Sequence, residues 1–217
     1  MAGGDDSIDV AASRRRMFGA VAVVVPLALV AWLGLYFLTP AIDGAASPVD
    51  RLGFAAGWIG MATFLCLLTG VEAVAHERLF TPAINPLAGR ESPRLRINLR
   101  YLQNTLEQWA ILVPALLLLA WYAEDGGQLR AVTASAVVWI ALRFVFWIGY
   151  HHSPEMRTPG LVGMAMSMLV LAYGVARFGH DLAGWPGAVT PLLIFGGIEV
   201  YLVYMSLRAG AETKGPD

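Results

Sequence analysis

The stretch Leu99-Arg100-Tyr101-Leu102-Gln103-Asn104-Thr105-Leu106-Glu107 opens a run that continues to Trp121 without another charged residue. A bilayer core takes roughly 20 mainly apolar residues per helix, so this run reads as a membrane span that carries charge. Each ionised side chain inside such a span costs about 3 kcal/mol on insertion scales and needs a partner or a wet cavity. Arg100, Asn104 and Glu107 stand at i, i+4 and i+7, which sets them on one helical face within about 60°. That strip either glues helices together by internal hydrogen bonds or holds a polar ligand.

Outward from it, the rest of the chain agrees with a membrane fold. Of 217 residues, 57% are hydrophobic and 14% charged, with a mean hydropathy of +0.60; soluble domains carry about a quarter charged residues. Further apolar runs cover about Met17 to Leu38, Leu52 to Ala75, Ala131 to Tyr150, Gly160 to Arg177 and Pro191 to Leu207. The expected architecture is all-α: a polytopic bundle of six spans, or five if the short, Gly-containing fifth run fails to cross. Turn-forming segments separate the runs at Thr39 to Asp50, Thr81 to Arg96, Glu124 to Gly127 and Gly179 to Gly187, where Gly, Pro and polar residues cluster. No repeat of fixed period is visible. A net charge of −1 excludes the basic face of a nucleic-acid binder. Cys66, the single cysteine, lies within an apolar run and reads as a small packing residue.

Orientation follows from basic residues in short loops. Arg14, Arg15 and Arg16 precede the first run; Arg78, Arg90, Arg94 and Arg96 follow the second; Arg157 follows the fourth; Arg208 and Lys214 follow the last. The opposite side holds only Arg51, Arg130 and Arg177. Six crossings put both termini on the basic, cytoplasmic side. The first run is longer than a signal-peptide core and lacks a convincing small-residue cleavage site, so it reads as an uncleaved anchor. The preference for Arg over Lys, with abundant Ala and Gly, suggests a GC-rich bacterial genome and hence an inner membrane.

A second set of polar residues falls near the same side. Arg143, Trp147 and Tyr150 again stand at i, i+4 and i+7. Arg143 lies too deep to reach the surface, and an inward carboxylate is its natural partner, Glu107 first. Tyr150 has a plain alternative as an interfacial belt residue. Beyond it, Thr158 and Pro159 read as the cap and first position of the next helix, which sets Arg157 beside a helix N-terminus that favours anions. Other uses of the charges are weaker. His76, Glu77, His151, His152 and Glu155 share the side, but their spacing matches no ligand motif, so no metal site is expected. A transporter built on Arg143 and Glu199 would call for an inverted repeat, and none is seen.

The run from Arg100 through Asn104 to Glu107 resembles the Arg-x-x-x-Asn-x-x-Glu signature of the MAPEG family, the membrane-associated proteins of eicosanoid and glutathione metabolism. Arg143, Tyr150 and Arg157, each seven residues apart, resemble the Arg…Tyr…Arg pattern of that family's next two helices, nearest its leukotriene C4 synthase branch. The likeness covers residues 52–178. It implies a four-helix core assembled as a homotrimer, with glutathione as co-substrate bound between subunits near the cytoplasmic face. It further implies Arg100, Asn104, Glu107, Tyr150 and Arg78 as glutathione contacts, Arg157 as the group that stabilises the thiolate, and Arg143 as a supporting residue behind them. The implied activity is a glutathione transferase or peroxidase acting on hydrophobic electrophiles; the alternative is a non-catalytic lipid-binding or scaffold member of the same fold. Leu102 and Gln103 stand where many members carry His or Arg, and Phe146 replaces a second Tyr. Residues 1–16 are then a cytoplasmic tail, 17–51 an extra N-terminal helix and loop, and 179–217 an extra C-terminal helix and tail.

Overall fold

A computed structural model describes residues 10–212; Lys214 and the first nine residues lie outside that range. Helix α1 spans Val10–Leu38, α2 Pro48–Ala62, α3 Thr69–Leu79, α4 Pro93–Tyr122, α5 Arg130–His152 and α6 Thr158–Glu212. A π-helical segment, Thr63–Leu68, joins α2 to α3 without a break. Among the described residues there is no strand, and five helices are long and apolar enough to cross a bilayer. The fold is therefore the expected all-α membrane bundle.

Helix starts are written in the sequence. Ser47 accepts from the Asp50 backbone N–H while the Asp50 carboxylate accepts from the Ser47 N–H, with Pro48 in the first turn. This reciprocal cap satisfies two otherwise orphaned donors. Ser92 caps α4 in the same position relative to Pro93, accepting from Leu95 N–H at 2.9 Å. Helix α1 is already formed at Val10, the first described residue, ahead of Met17; apolar content marks only the lipid-facing part of a helix, and Ala11, Ala12 and the three arginines favour helix on their own.

The fifth apolar stretch covers 53 residues, Thr158–Gly210, enough at about 1.5 Å per residue for two crossings of a bilayer core. Its regularity fails at Ala183 (φ −146°, ψ 24°) and Gly184 (φ 62°, ψ −151°), inside the segment whose glycines predict a turn. Gly184 supplies the positive φ that other residues avoid. Gly179 and Gly187 meet backbone to backbone there, since a Cβ on Gly179 would fall 2.2 Å from the Gly187 carbonyl oxygen. The chain divides into two compact units between Leu171 and Ala172; Glu199 stands exposed on the second.

In the first unit the core lies between α2, the π segment, α4 and α5. Ala55, Ala62, Cys66, Leu112, Leu116, Ala120, Val132 and Trp139 form it. Small residues here allow close helix approach, the usual device where lipid removes the hydrophobic drive between helices. Trp109 Nε1 donates to Thr63 Oγ1 at 2.8 Å, and Tyr101 Oη donates to the Cys66 carbonyl at 3.1 Å. Gly70 leaves room for the Tyr101 ring, which would stand 3.0 Å from an added Cβ. Helix α1 docks on α5, with Val24, Ala28 and Leu35 against Val138 and Leu142 and Trp32 Nε1 donating to Ser135 Oγ at 3.0 Å.

The two ends of this unit are tied separately. At one end Ile42 N–H donates to the Gly126 carbonyl at 3.0 Å. At the other, Ser92 Oγ donates to Glu77 at 2.5 Å, and Asn98 links to Glu77 and His151. Cysteines placed at Leu87 and His152 should therefore react with an impermeant thiol reagent from one membrane face, and cysteines at Ala46 and Glu124 from the other. Cys66 is buried and adds no background. Labelling of positions 87 and 124 from the same face would mean that α4 does not cross.

Candidate functional site

Helix α4 presents Arg100, Gln103, Asn104 and Glu107 to one cleft, and α5 adds Phe146 and Tyr150. Arg157, at the end of the 3-10 turn Pro154–Arg157, and Leu161 of α6 close it. Its volume is about 370 Å³. Five residues singled out from the sequence thus meet in one place: Arg100, Asn104, Glu107, Tyr150 and Arg157. Arg78 lines neither this cleft nor a second one described below; it is half-buried at the end of α3, and its Nε is buried without a hydrogen-bond partner.

The rim of the cleft is a ladder along the helix. Arg100 Nη1 donates to Gln103 Oε1 at 3.3 Å, and Gln103 Nε2 donates to Glu107 Oε1 at 3.1 Å. Arg100, Gln103 and Glu107 are all exposed, so their charges are available to a ligand. Gln103 carries the contact between the two ionised groups.

Behind the rim the expected pairing is corrected. Arg143 is fully buried, and its Nη1 donates not to Glu107 but to Asn104 Oδ1, at 3.0 Å. Its guanidinium lies 4.3 Å from the Phe146 ring centroid and 5.4 Å from that of Tyr101. Ring faces attract a cation, more strongly where water is absent, and Glu107 is turned outward. Phe146 stacks on Tyr150 at 5.4 Å and on Tyr101 at 5.9 Å. It therefore links the guanidinium to the cleft wall.

Gly160 lets α6 start against this group. An added Cβ would stand 3.1 Å from the Phe146 ring and 3.2 Å from Arg143 Nη1. The Gly160 carbonyl accepts from Gln108 Nε2 at 2.8 Å. Gln108 was not singled out from the sequence, although it stands at i+4 from Asn104, the spacing that found the others. Helix α6 begins at Thr158, which is buried, with Pro159 in the first turn.

Trp147 departs from the face shared by Arg143 and Tyr150. Its Nε1 donates to Asn98 Oδ1 at 3.0 Å, on the other side of α4. There a second cleft of about 540 Å³ is lined by Thr69, Glu72, His76, Glu77, Arg94 and Trp147, among others. Glu77 is its tie-point, held by Ser92 Oγ, Asn98 Nδ2 at 3.3 Å and Arg94 Nε at 3.4 Å. These bonds fasten the end of α3 to the start of α4. Among the described residues no three His, Cys, Asp or Glu side chains come together as metal ligands; the Glu155 side chain lies outside them.

Residues 52–179 match the MAPEG family, a range that holds every residue of both clefts. No curated protein and no solved structure matches the chain.

Proposed function

The chain belongs to the MAPEG family, and from that premise we propose that it is a glutathione-dependent transferase or peroxidase acting on hydrophobic electrophiles in the membrane. The observation that carries this reading is the meeting of Arg100, Asn104, Glu107, Tyr150 and Arg157 in one cleft from three separate chain segments. Glutathione has two carboxylates and one ammonium. Two exposed guanidiniums and one exposed carboxylate complement it, and arginine takes carboxylates in a bidentate fork.

When bound, glutathione would supply a thiol as the nucleophile. A free thiol ionises near pH ~8.5, and an adjacent guanidinium lowers that value. We assign this role to Arg157, which lines the cleft, with the thiol proton leaving to water. Arg100, Asn104 and Glu107 would hold the peptide, and Tyr150 lines the same cleft. Holding a nucleophile next to a lipid-dissolved electrophile supplies much of the rate by proximity.

In this reading the protein is a homotrimer whose cleft is completed by a neighbouring subunit, which gives Arg78 a ligand across the contact. The cleft faces the cytoplasm, the side richest in Arg. The family core is residues 52–178, flanked by an extra helix at each end.

Calorimetric titration of detergent-purified protein with glutathione tests the proposal, with particle mass measured on the same sample. Saturable heat from a trimer is expected. No heat at millimolar glutathione would replace the enzyme with a lipid-binding or scaffold protein, and tight binding by a monomer would remove the shared site.

A further inference from the structure

Asn104 sits where α4, α5 and the start of α6 meet, and the groups around it leave its amide one orientation. Arg143 Nη1 stands 3.0 Å from the side-chain oxygen of Asn104. A guanidinium has donors only, so the Asn104 atom that faces it is Oδ1. Gln108 meets that same oxygen at 3.1 Å with its side-chain nitrogen, which also lies 2.8 Å from the Gly160 carbonyl. A carbonyl only accepts, so the Gln108 atom between the two oxygens is Nε2. Amide orientation ordinarily has to be chosen from its surroundings; here a pure donor at one end and a pure acceptor at the other fix the whole chain of bonds.

Arg143 and Gln108 are both fully buried, whereas Asn104 is half-buried and lines the cleft. With Oδ1 taken by two donors, the group that Asn104 has left for the cleft is its NH2. We infer that Arg143 and Gln108 are positioning residues that hold the Asn104 amide with its NH2 toward the cleft, so that this wall accepts a carboxylate, carbonyl or thiolate and turns away a hydrogen-bond donor. The inference deepens the glutathione reading and rests on it for the identity of the ligand. The arrangement is costly, since Arg143 Nε and Nη2 and Gln108 Oε1 are buried without hydrogen-bond partners. Apolar side chains would fill that space without stranding polar atoms. A role in orienting Asn104 explains why polar groups stand there.

The test has a ligand-free arm and a binding arm. The sequence holds three asparagines, Asn85, Asn98 and Asn104, so protein labelled with 15N-asparagine gives few side-chain amide signals, and Asn104→Asp assigns one of them by its loss. The Asn104 NH2 should exchange freely with water, unlike that of buried Asn98, which donates to Glu77. Gln108→Glu removes one of the two donors and sets an acceptor beside the amide while Arg143 still faces Oδ1. The amide then loses its single orientation and its two NH2 proton signals should shift or broaden, a change that a purely structural glutamine would not produce. In the binding arm, Asn104→Asp still accepts from Arg143 and Gln108 and should keep the wild-type particle mass. It should bind glutathione about tenfold or more weakly, because an anionic oxygen replaces the donor. A protected Asn104 NH2 in the wild-type protein, or wild-type glutathione affinity in Asn104→Asp, would overturn the inference. Free exchange without any glutathione binding by the wild-type protein would leave the orientation standing and sink the glutathione reading instead.

Discussion

Arg157→Ala is expected to lose the ultraviolet signal of bound thiolate and to cut turnover by about 10²–10³-fold, the usual cost of removing one group that stabilises developing negative charge. Glutathione affinity should stay within about tenfold, roughly 1.4 kcal/mol. The split follows from position. Arg157 is exposed at the end of a short 3-10 turn and lines the cleft, so truncation removes a charge and little packing. Thiolate absorbance, turnover and calorimetric affinity on one preparation separate the two effects. Full thiolate formation in the variant would pass the role to Tyr150, the hydroxyl on the same wall.

Arg100→Ala is expected to do the reverse. Hydrogen bonds to charged groups contribute about 1.5–3 kcal/mol, so glutathione should bind roughly 10- to 100-fold more weakly. The fold and the particle mass should survive, because Arg100 is exposed and its side chain bonds to Gln103, while Glu107 keeps its own bond from Gln103. A direct Arg100–Glu107 pair would have stranded the carboxylate; the ladder does not. Particle mass and melting temperature, measured beside affinity, check this. Unchanged affinity would remove Arg100 from the site.

The sequence shows the helices well because lipid imposes a simple rule: long apolar stretches broken by Gly, Pro and Arg. It shows helix ends poorly where a helix continues past the lipid, as α1 does ahead of Met17, since apolar content no longer marks the boundary. The face carrying Arg100, Asn104 and Glu107 is legible because helical spacing alone assigns it, and the same spacing brings in Gln108. What spacing leaves open is partner choice. Charge complementarity suggests a carboxylate for Arg143, but an amide oxygen and the Phe146 face satisfy it where Glu107 points outward. Trp147 shows a second limit. The i, i+4, i+7 pattern on α5 spans an arc wide enough for its members to meet different neighbours, and Trp147 turns to Asn98.

The π-helical segment Thr63–Leu68 acts on this architecture as a phase shifter. One wide turn inserts an extra residue into the helical register, and each residue of register is worth about 100° of rotation at 3.6 residues per turn. The first residue of the segment, Thr63 at the end of α2, is bonded to α4 through Trp109, and the half of the span after the segment is indexed through Glu77 with Ser92 and Asn98. Removing a single residue from that turn would restore a regular helix and swing α3 by a quarter-turn or more. Glu77 would leave Ser92, Arg78 would face a different direction, and the apolar half of the span would keep its place. The angular setting of α3 is thus separable from its burial, and single-residue insertions and deletions reset it where substitutions do not.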